Sequence, residues 1–247
     1  MLRKVLFIVL ALMMLTGTAF AAEKTIVFAT DSTWPPMEFV DQNKNIVGFA
    51  IDYMTKAGEL AGFKAEFKAV AWDGIFAGLA GGQYDAICSS VSITEERKKS
   101  MDFSTPYFKV RQALVVKKDS TAKSLQDMVG KKVGSQISTT GTFAVQAVKG
   151  VESKTYDEVG LAIEDLYNGR IDGVVCDDPV AANYALANDK YKDALKIAAV
   201  IESGEAEFYG IAVNKGNKEV LDLVNKGIEA VKKSGYDKEL QKKWIGQ

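Results

Sequence analysis

Apolar and polar positions in this chain alternate between a strand rhythm and a helix rhythm. Thr25 to Thr30 reads as a short apolar strand, broken by Asp31–Ser32–Thr33–Trp34–Pro35–Pro36. Glu38 to Val40 is extended again, and Asn43 to Gly48 is rich in turn residues. Ile51 to Ala61 carries helical periodicity with Gly62 as its stop. Lys64 to Val70 alternates as a strand. Trp72 and Asp73 follow its end, and Gly74 to Ala80 is a short helix closed by Gly81–Gly82. Tyr84 to Ser90 then reads as a covered strand that runs out into hydroxyls.

The same order returns further along. Arg111 to Lys117 and Lys132 to Ser135 are strands, with a short helix opened by Ser124 between them. Ser138 to Thr142 is a hydroxyl-rich turn, Phe143 to Lys149 a helix, and Asp157 to Asn168 a helix stopped by Gly169. Gly173 to Cys176 is a covered strand that ends in Asp177–Asp178–Pro179, and Val180 to Ala187 is helical. Ile197 to Val200 and Tyr209 to Val213 are strands, and Asn217 to Lys233 and Asp237 to Trp244 are helices. Alternation of this kind predicts an α/β fold of two units in series, each with a mainly parallel sheet. In such sheets ligands bind beyond the carboxyl ends of the strands.

The junction from Cys88 to Arg97 focuses that expectation. On an extended chain Ser90 and Ser92 share a face. Ser92 and Glu95 have the spacing of a capping box, which predicts a helix start at Ser92. Arg97 then falls in the first helical turn, where the helix dipole disfavours a cation unless an anion joins it. Hydroxyls, free helix N–H groups and a guanidinium make a carboxylate site; a capped helix with a solvated arginine is the plainer alternative.

Composition narrows the rest. Arg3 and Lys4, the apolar run Val5–Leu15 and Ala19–Phe20–Ala21 form a secretory leader over residues 1–21, so an exported, periplasmic protein is expected. The net charge of −1 argues against nucleic acid or an anionic membrane as the main partner. The chain has no histidine, which removes His-based triads and His metal sites. No cofactor or metal is expected. Cys88 and Cys176 each sit inside an apolar run and are expected to stay free. Collected at strand ends, Asp31, Trp34, Trp72, Ser90, Ser92, Arg97, Thr140 and Asp177 suit a zwitterion: a guanidinium for a carboxylate, an acid for an ammonium, and indoles for a side chain. Glu38 reads as a lobe-surface or internal ion-pair residue, Asp178 as a helix-start charge and Lys98–Lys99 as a solvated face.

Several segments carry a family resemblance: WPPMEF (Trp34–Phe39), GFAID (Gly48–Asp52), AWDGIFAGL (Ala71–Leu79), YDAICSSVSITEERKKSMDFSTPYF (Tyr84–Phe108), VGSQISTTG (Val133–Gly141) and VVCDDPVA (Val174–Ala181). Across the whole mature chain it resembles the periplasmic polar amino-acid-binding proteins, solute receptors of ABC importers. The resemblance implies a type II periplasmic-binding-protein fold: two α/β lobes, one at 22–111 plus 209–247 and one at 112–208, hinged by two strand crossings. It implies a monomer that binds one amino acid and meets a membrane ABC permease transiently. By the same resemblance Arg97, Ser92 and Thr140, with Thr139 beside it, hold the ligand carboxylate. Asp177 and Ser90 hold its ammonium, Trp34 and Trp72 flank its side chain, and Asp31 and Gln136 line the side-chain pocket. The chain departs from the family pattern at Ala50, where an acid is usual, and at Ser138, where glycine is usual. Charge counting leaves Asp31 over and favours arginine or lysine, with glutamine as the rival ligand. Two other functions remain open on the same fold: an exported dehydratase resembling the cyclohexadienyl or arogenate enzymes, and a sensor ectodomain.

Overall fold

The computed structural model describes residues 24–201 and 206–246, so the expected leader lies outside the described residues. The chain begins with β1 (Lys24–Thr30), β2 (Thr33–Trp34), β3 (Glu38–Val40), β4 (Ile46–Val47), α1 (Phe49–Ala61), β5 (Phe63–Ala69), α2 (Trp72–Ala80) and β6 (Ala86–Ile87). It continues through α3 (Glu95–Ser100), β7 (Met101–Phe103), β8 (Phe108–Val110), β9 (Gln112–Lys117), β10 (Lys132–Gln136), α4 (Thr140–Ala147), β11 (Glu152–Tyr156) and α5 (Val159–Tyr167). Last come β12 (Gly173–Asp177), α6 (Asp178–Ala182), β13 (Leu195–Ile201), β14 (Glu207–Tyr209), β15 (Ala212–Asn214), α7 (Lys218–Ser234) and α8 (Tyr236–Trp244).

Two five-stranded sheets result, in the orders β5-β1-β6-β15-β7 and β11-β10-β12-β9-β13. Each is parallel over its first three strands and then takes in antiparallel partners. The antiparallel strands arise where the chain passes between the lobes. β8 and β14 pair antiparallel as a two-stranded ribbon, Phe108 opposite Tyr209, and this ribbon carries both passages. In each sheet the last of the three parallel strands in sequence lies on the far side of the first from the second, which makes a switch point there. The ends of β1 and β6 in one lobe and of β10 and β12 in the other therefore open into the space between the lobes.

Packing follows from the helical stripes. α1 buries Phe49, Tyr53, Met54, Ala57 and Ala61 and ends at Gly62, whose φ of 87° only glycine adopts without strain. α7 buries Val220, Val224, Ile228 and Val231 and carries Gly227 in the same stripe. A Cβ at Gly227 would stand 2.7 Å from the Ala57 carbonyl oxygen and 2.8 Å from its methyl group. Since backbone cannot yield as a side-chain tip can, Gly227→Ala is expected to cost about 1–3 kcal/mol. Urea unfolding checks this, and an unchanged midpoint would show that the helices can separate freely.

Several expectations change. The helix after β6 is capped by Thr94, whose hydroxyl accepts from Arg97 N at 3.2 Å, and not by Ser92. Ser92 is held extended instead, by a bridge to Tyr209. Ser90 has φ 47°, so it and Ser92 do not share the face of a regular strand. Trp72 is the first residue of α2 and not a residue of the loop before it. The segment expected as one strand from Tyr209 to Val213 divides into β14 and β15. Both cysteines are free and buried, as expected. Asp178 opens α6 and pairs with Arg111.

Candidate functional site

Strand ends and helix starts from both lobes deliver side chains into one narrow cavity. Asp31, Trp34, Trp72, Ser90, Ser92, Arg97, Gln136, Thr139, Thr140 and Asp177 all line it, together with Glu38 and Ser89.

On the first lobe, the Asp31 N–H donates to Ser89 Oγ at 2.9 Å, which fixes the turn after β1. Its carboxylate accepts from Thr33 Oγ1 at 2.8 Å and, across the cleft, from Gln136 Nε2 at 2.7 Å. Burial raises its pKa despite these two bonds. Arg97 rests near the rings of Trp72 and Phe76, 5.6 and 5.2 Å from their centroids. It donates through Nη1 to the Ser92 carbonyl at 2.9 Å and through Nη2 to the Ser138 carbonyl at 3.1 Å. Burial lowers its pKa to about 10, with Asp177 and Glu207 pulling the other way, so it stays a cation at neutral pH.

On the second lobe, Thr139 caps α4 by accepting from Thr142 N at 3.2 Å, while its hydroxyl donates to the Gln136 carbonyl at 2.7 Å. Its side chain is thereby committed to the turn. Ser138 has φ 57°, a left-handed conformation that a side chain makes costly. Thr140 Oγ1 lies 3.5 Å from Ser92 Oγ in the facing lobe. Asp177 ends β12 and accepts from Gln112 Nε2 at 2.5 Å and from the Tyr209 hydroxyl. Burial first, and the Glu207 charge second, push its pKa up to about 7. The Trp72 Nε1–H donates to the Ile137 carbonyl at 2.9 Å. Trp72, Arg97 and Gln136 each span the cleft.

Glu38 is the main addition and corrects the reading of it as a lobe-surface or internal ion-pair residue: it is internal, and its partner is a hydroxyl. It is fully buried at 0% exposure and lines the cavity, and its Oε2 accepts from Ser90 Oγ at 2.9 Å. Its Oε1 has no hydrogen-bond partner among the described residues. Burial raises its pKa well above the usual carboxylate range, and Asp31 and Asp177 add to the effect. Ser90 is thus occupied by Glu38 through its hydroxyl. A Glu followed by an aromatic after Pro-Pro gives no local signal of burial; only the fold of β3 beneath α1 shows it.

Two α/β lobes, a paired-strand hinge and a cleft lined by opposed charges define a two-lobed type II periplasmic-binding-protein fold. The chain belongs to the bacterial extracellular solute-binding proteins, family 3, whose profile matches residues 26–247. It is 37% identical over 216 residues to a probable histidine-binding protein of Neisseria gonorrhoeae, covering 85% of this chain and 79% of that one. It is 34% identical to the ABC transporter arginine-binding protein 1 of Escherichia coli K12, covering 94% and 95%. Among solved structures, an ancestral arginine-binding protein bound to arginine superposes with a TM-score of 0.83 at 42% identity, covering 90% and 98%; that protein is also solved bound to glutamine.

Proposed function

We propose that this protein binds a single free amino acid with a cationic side chain, arginine or lysine, in the periplasm and delivers it to an ABC-type permease. It is an importer receptor and not an enzyme. Arg97, with Ser92 and the N–H groups at the start of α4, takes the carboxylate. Asp177 takes the ammonium. Asp31 and Glu38 then remain for the side chain, which lies between Trp34 and Trp72. Closure is the approach of the lobe at 112–208 to that formed by 22–111 and 209–247, since both touch the same zwitterion.

The observation that carries this is charge. Three buried carboxyl groups, Asp31, Glu38 and Asp177, meet one guanidinium. Burying carboxylates without opposite charges beside them is costly, and their raised pKa values express that cost. A neutral side chain leaves the cost standing, whereas a cation removes it and gains from the indole faces. Names of relatives that include arginine and histidine agree with a basic ligand.

Calorimetry against the common amino acids, with thermal shift beside it, is the test. Arginine or lysine is expected to bind at least about tenfold tighter than glutamine, and ligand at 100 times its Kd to add about 2.7 kcal/mol of stability. Glutamine binding tighter would overturn the cation preference, and no response to any amino acid would overturn the receptor. The dehydratase alternative draws on the same observation, because a buried carboxylic acid can protonate a leaving hydroxyl. Turnover of a prephenate-like acid would decide for it.

A further inference from the structure

Behind the cavity wall, polar side chains tie the hinge to the groups of the second lobe. Glu207 lies half-buried on β14. Its Oε1 accepts from Thr140 Oγ1 at 2.6 Å, and its two oxygens lie 3.3 and 3.2 Å from Gln112 Nε2. That amide also reaches Thr140 Oγ1 at 3.1 Å and Asp177 Oδ1 at 2.5 Å. Gln112 is the ladder partner of Asp177, and Tyr209, two residues along β14 from Glu207, donates to the other Asp177 oxygen. Glu207 therefore reaches Thr140 directly and Asp177 through one amide, without itself lining the cavity.

We propose that Glu207 is a positioning residue of the binding site: its carboxylate fixes the Thr140 hydroxyl and the Gln112 amide, and through that amide the Asp177 carboxylate that meets the ligand ammonium. This rests on the assignment of Asp177 to that ammonium. The Thr140 hydroxyl has one hydrogen, and Glu207 takes it. What Thr140 offers a ligand carboxylate is then its backbone N–H at the start of α4, aimed by the side chain held behind it.

The charged groups around Asp177 come from every neighbouring element: Glu207 and Tyr209 from β14, Arg97 from α3, Glu38 from β3, Asp178 and the Cys176 thiol beside it in sequence. Glu207 is the nearest like charge in effect, second only to burial in holding the Asp177 proton. A ligand ammonium pairs with the carboxylate and not with the acid. Below about pH 7 the proton must leave on binding, so affinity falls by roughly tenfold per pH unit, and above it affinity levels off. Removing the Glu207 charge lowers the Asp177 pKa and moves that break to lower pH.

The test compares wild type, Glu207→Gln and Glu207→Asp by calorimetry with arginine from pH 5 to 8.5, with the carbon-detected NMR titration of Asp177 in the ligand-free proteins beside it. Glu207→Gln is expected to move both the affinity break and the Asp177 titration down by roughly half a pH unit or more. Glu207→Asp keeps the charge and so the break. Its shorter arm loses Thr140, lowering the plateau affinity several-fold. An Asp177 titration that does not move in Glu207→Gln, with affinity scaled equally at every pH, would overturn the proposal. Should Glu207→Gln fail to fold, unaltered plateau affinity in Glu207→Asp would overturn it as well. A shifted Asp177 titration in a protein that binds no amino acid keeps the coupling and removes the assignment of the ammonium site instead.

Discussion

Arg97→Ala is expected to abolish measurable amino-acid binding. The guanidinium is the cation among the cavity-lining residues, and it already spends donors on the carbonyls of Ser92 and Ser138, which sets its plane towards the cleft. A ligand carboxylate brought into that space without it is desolvated and unpaired, at a cost of roughly 3–5 kcal/mol. That corresponds to a loss of about two to four orders of magnitude in Kd. Two exposed or half-buried hydrogen bonds to main chain are lost in the free protein, so its melting temperature should move little. Arg97→Lys keeps the charge but not the fork, and should fall between the two. Calorimetry at a ligand concentration that saturates wild type measures both. Wild-type affinity in the alanine variant would mean that the carboxylate lies elsewhere.

Trp72→Ala should weaken both the fold and the closed state. The indole is 7% exposed, stands edge-to-face with Phe76 at 5.0 Å and reaches across to the Ile137 carbonyl. Loss of so large a buried side chain costs about 3–5 kcal/mol. Trp72→Phe separates the two effects. It keeps an aromatic ring in the packing and removes the N–H, whose hydrogen bond is worth a net of about 0.5–1.5 kcal/mol, up to about tenfold in affinity. Thermal melts report the first effect, and small-angle scattering with saturating ligand the second. Equal melting temperatures for wild type and Trp72→Ala would show that the ring packs against nothing that matters.

The parts of the site legible in sequence are those that local chemistry carries. Arg97, Ser92, Thr140 and Asp177 stand where strands end or helices begin, and such places show in a sequence as a change of period followed by hydroxyls or acids. Glu38 was not legible there because its burial is tertiary. The N–H groups of Phe49 and Ala50 at the start of α1 donate to the carbonyls of Pro36 and Met37, which folds the segment inward. Glu207 belongs to a short strand whose partner lies far off in sequence. β11 gives no sequence signal because it is an edge strand of exposed and half-exposed, mostly polar residues, ESKTY, with no apolar alternation. The capping signal at Ser92 was a true pattern with a stronger competitor. Pairing with Tyr209 holds Ser92 extended, and Thr94 meets the helix two residues later.

Two of the side chains that span the cleft, Trp72 and Arg97, end on main-chain oxygens, those of Ile137 and Ser138. A main-chain acceptor survives almost any substitution of the residue that bears it. Positions 137 and 138 can therefore drift over evolutionary time without undoing the latch, provided residue 138 tolerates its left-handed turn. Gln136, which spans the gap side chain to side chain with Asp31, has no such freedom, and a descendant that changes its ligand would be expected to change there first.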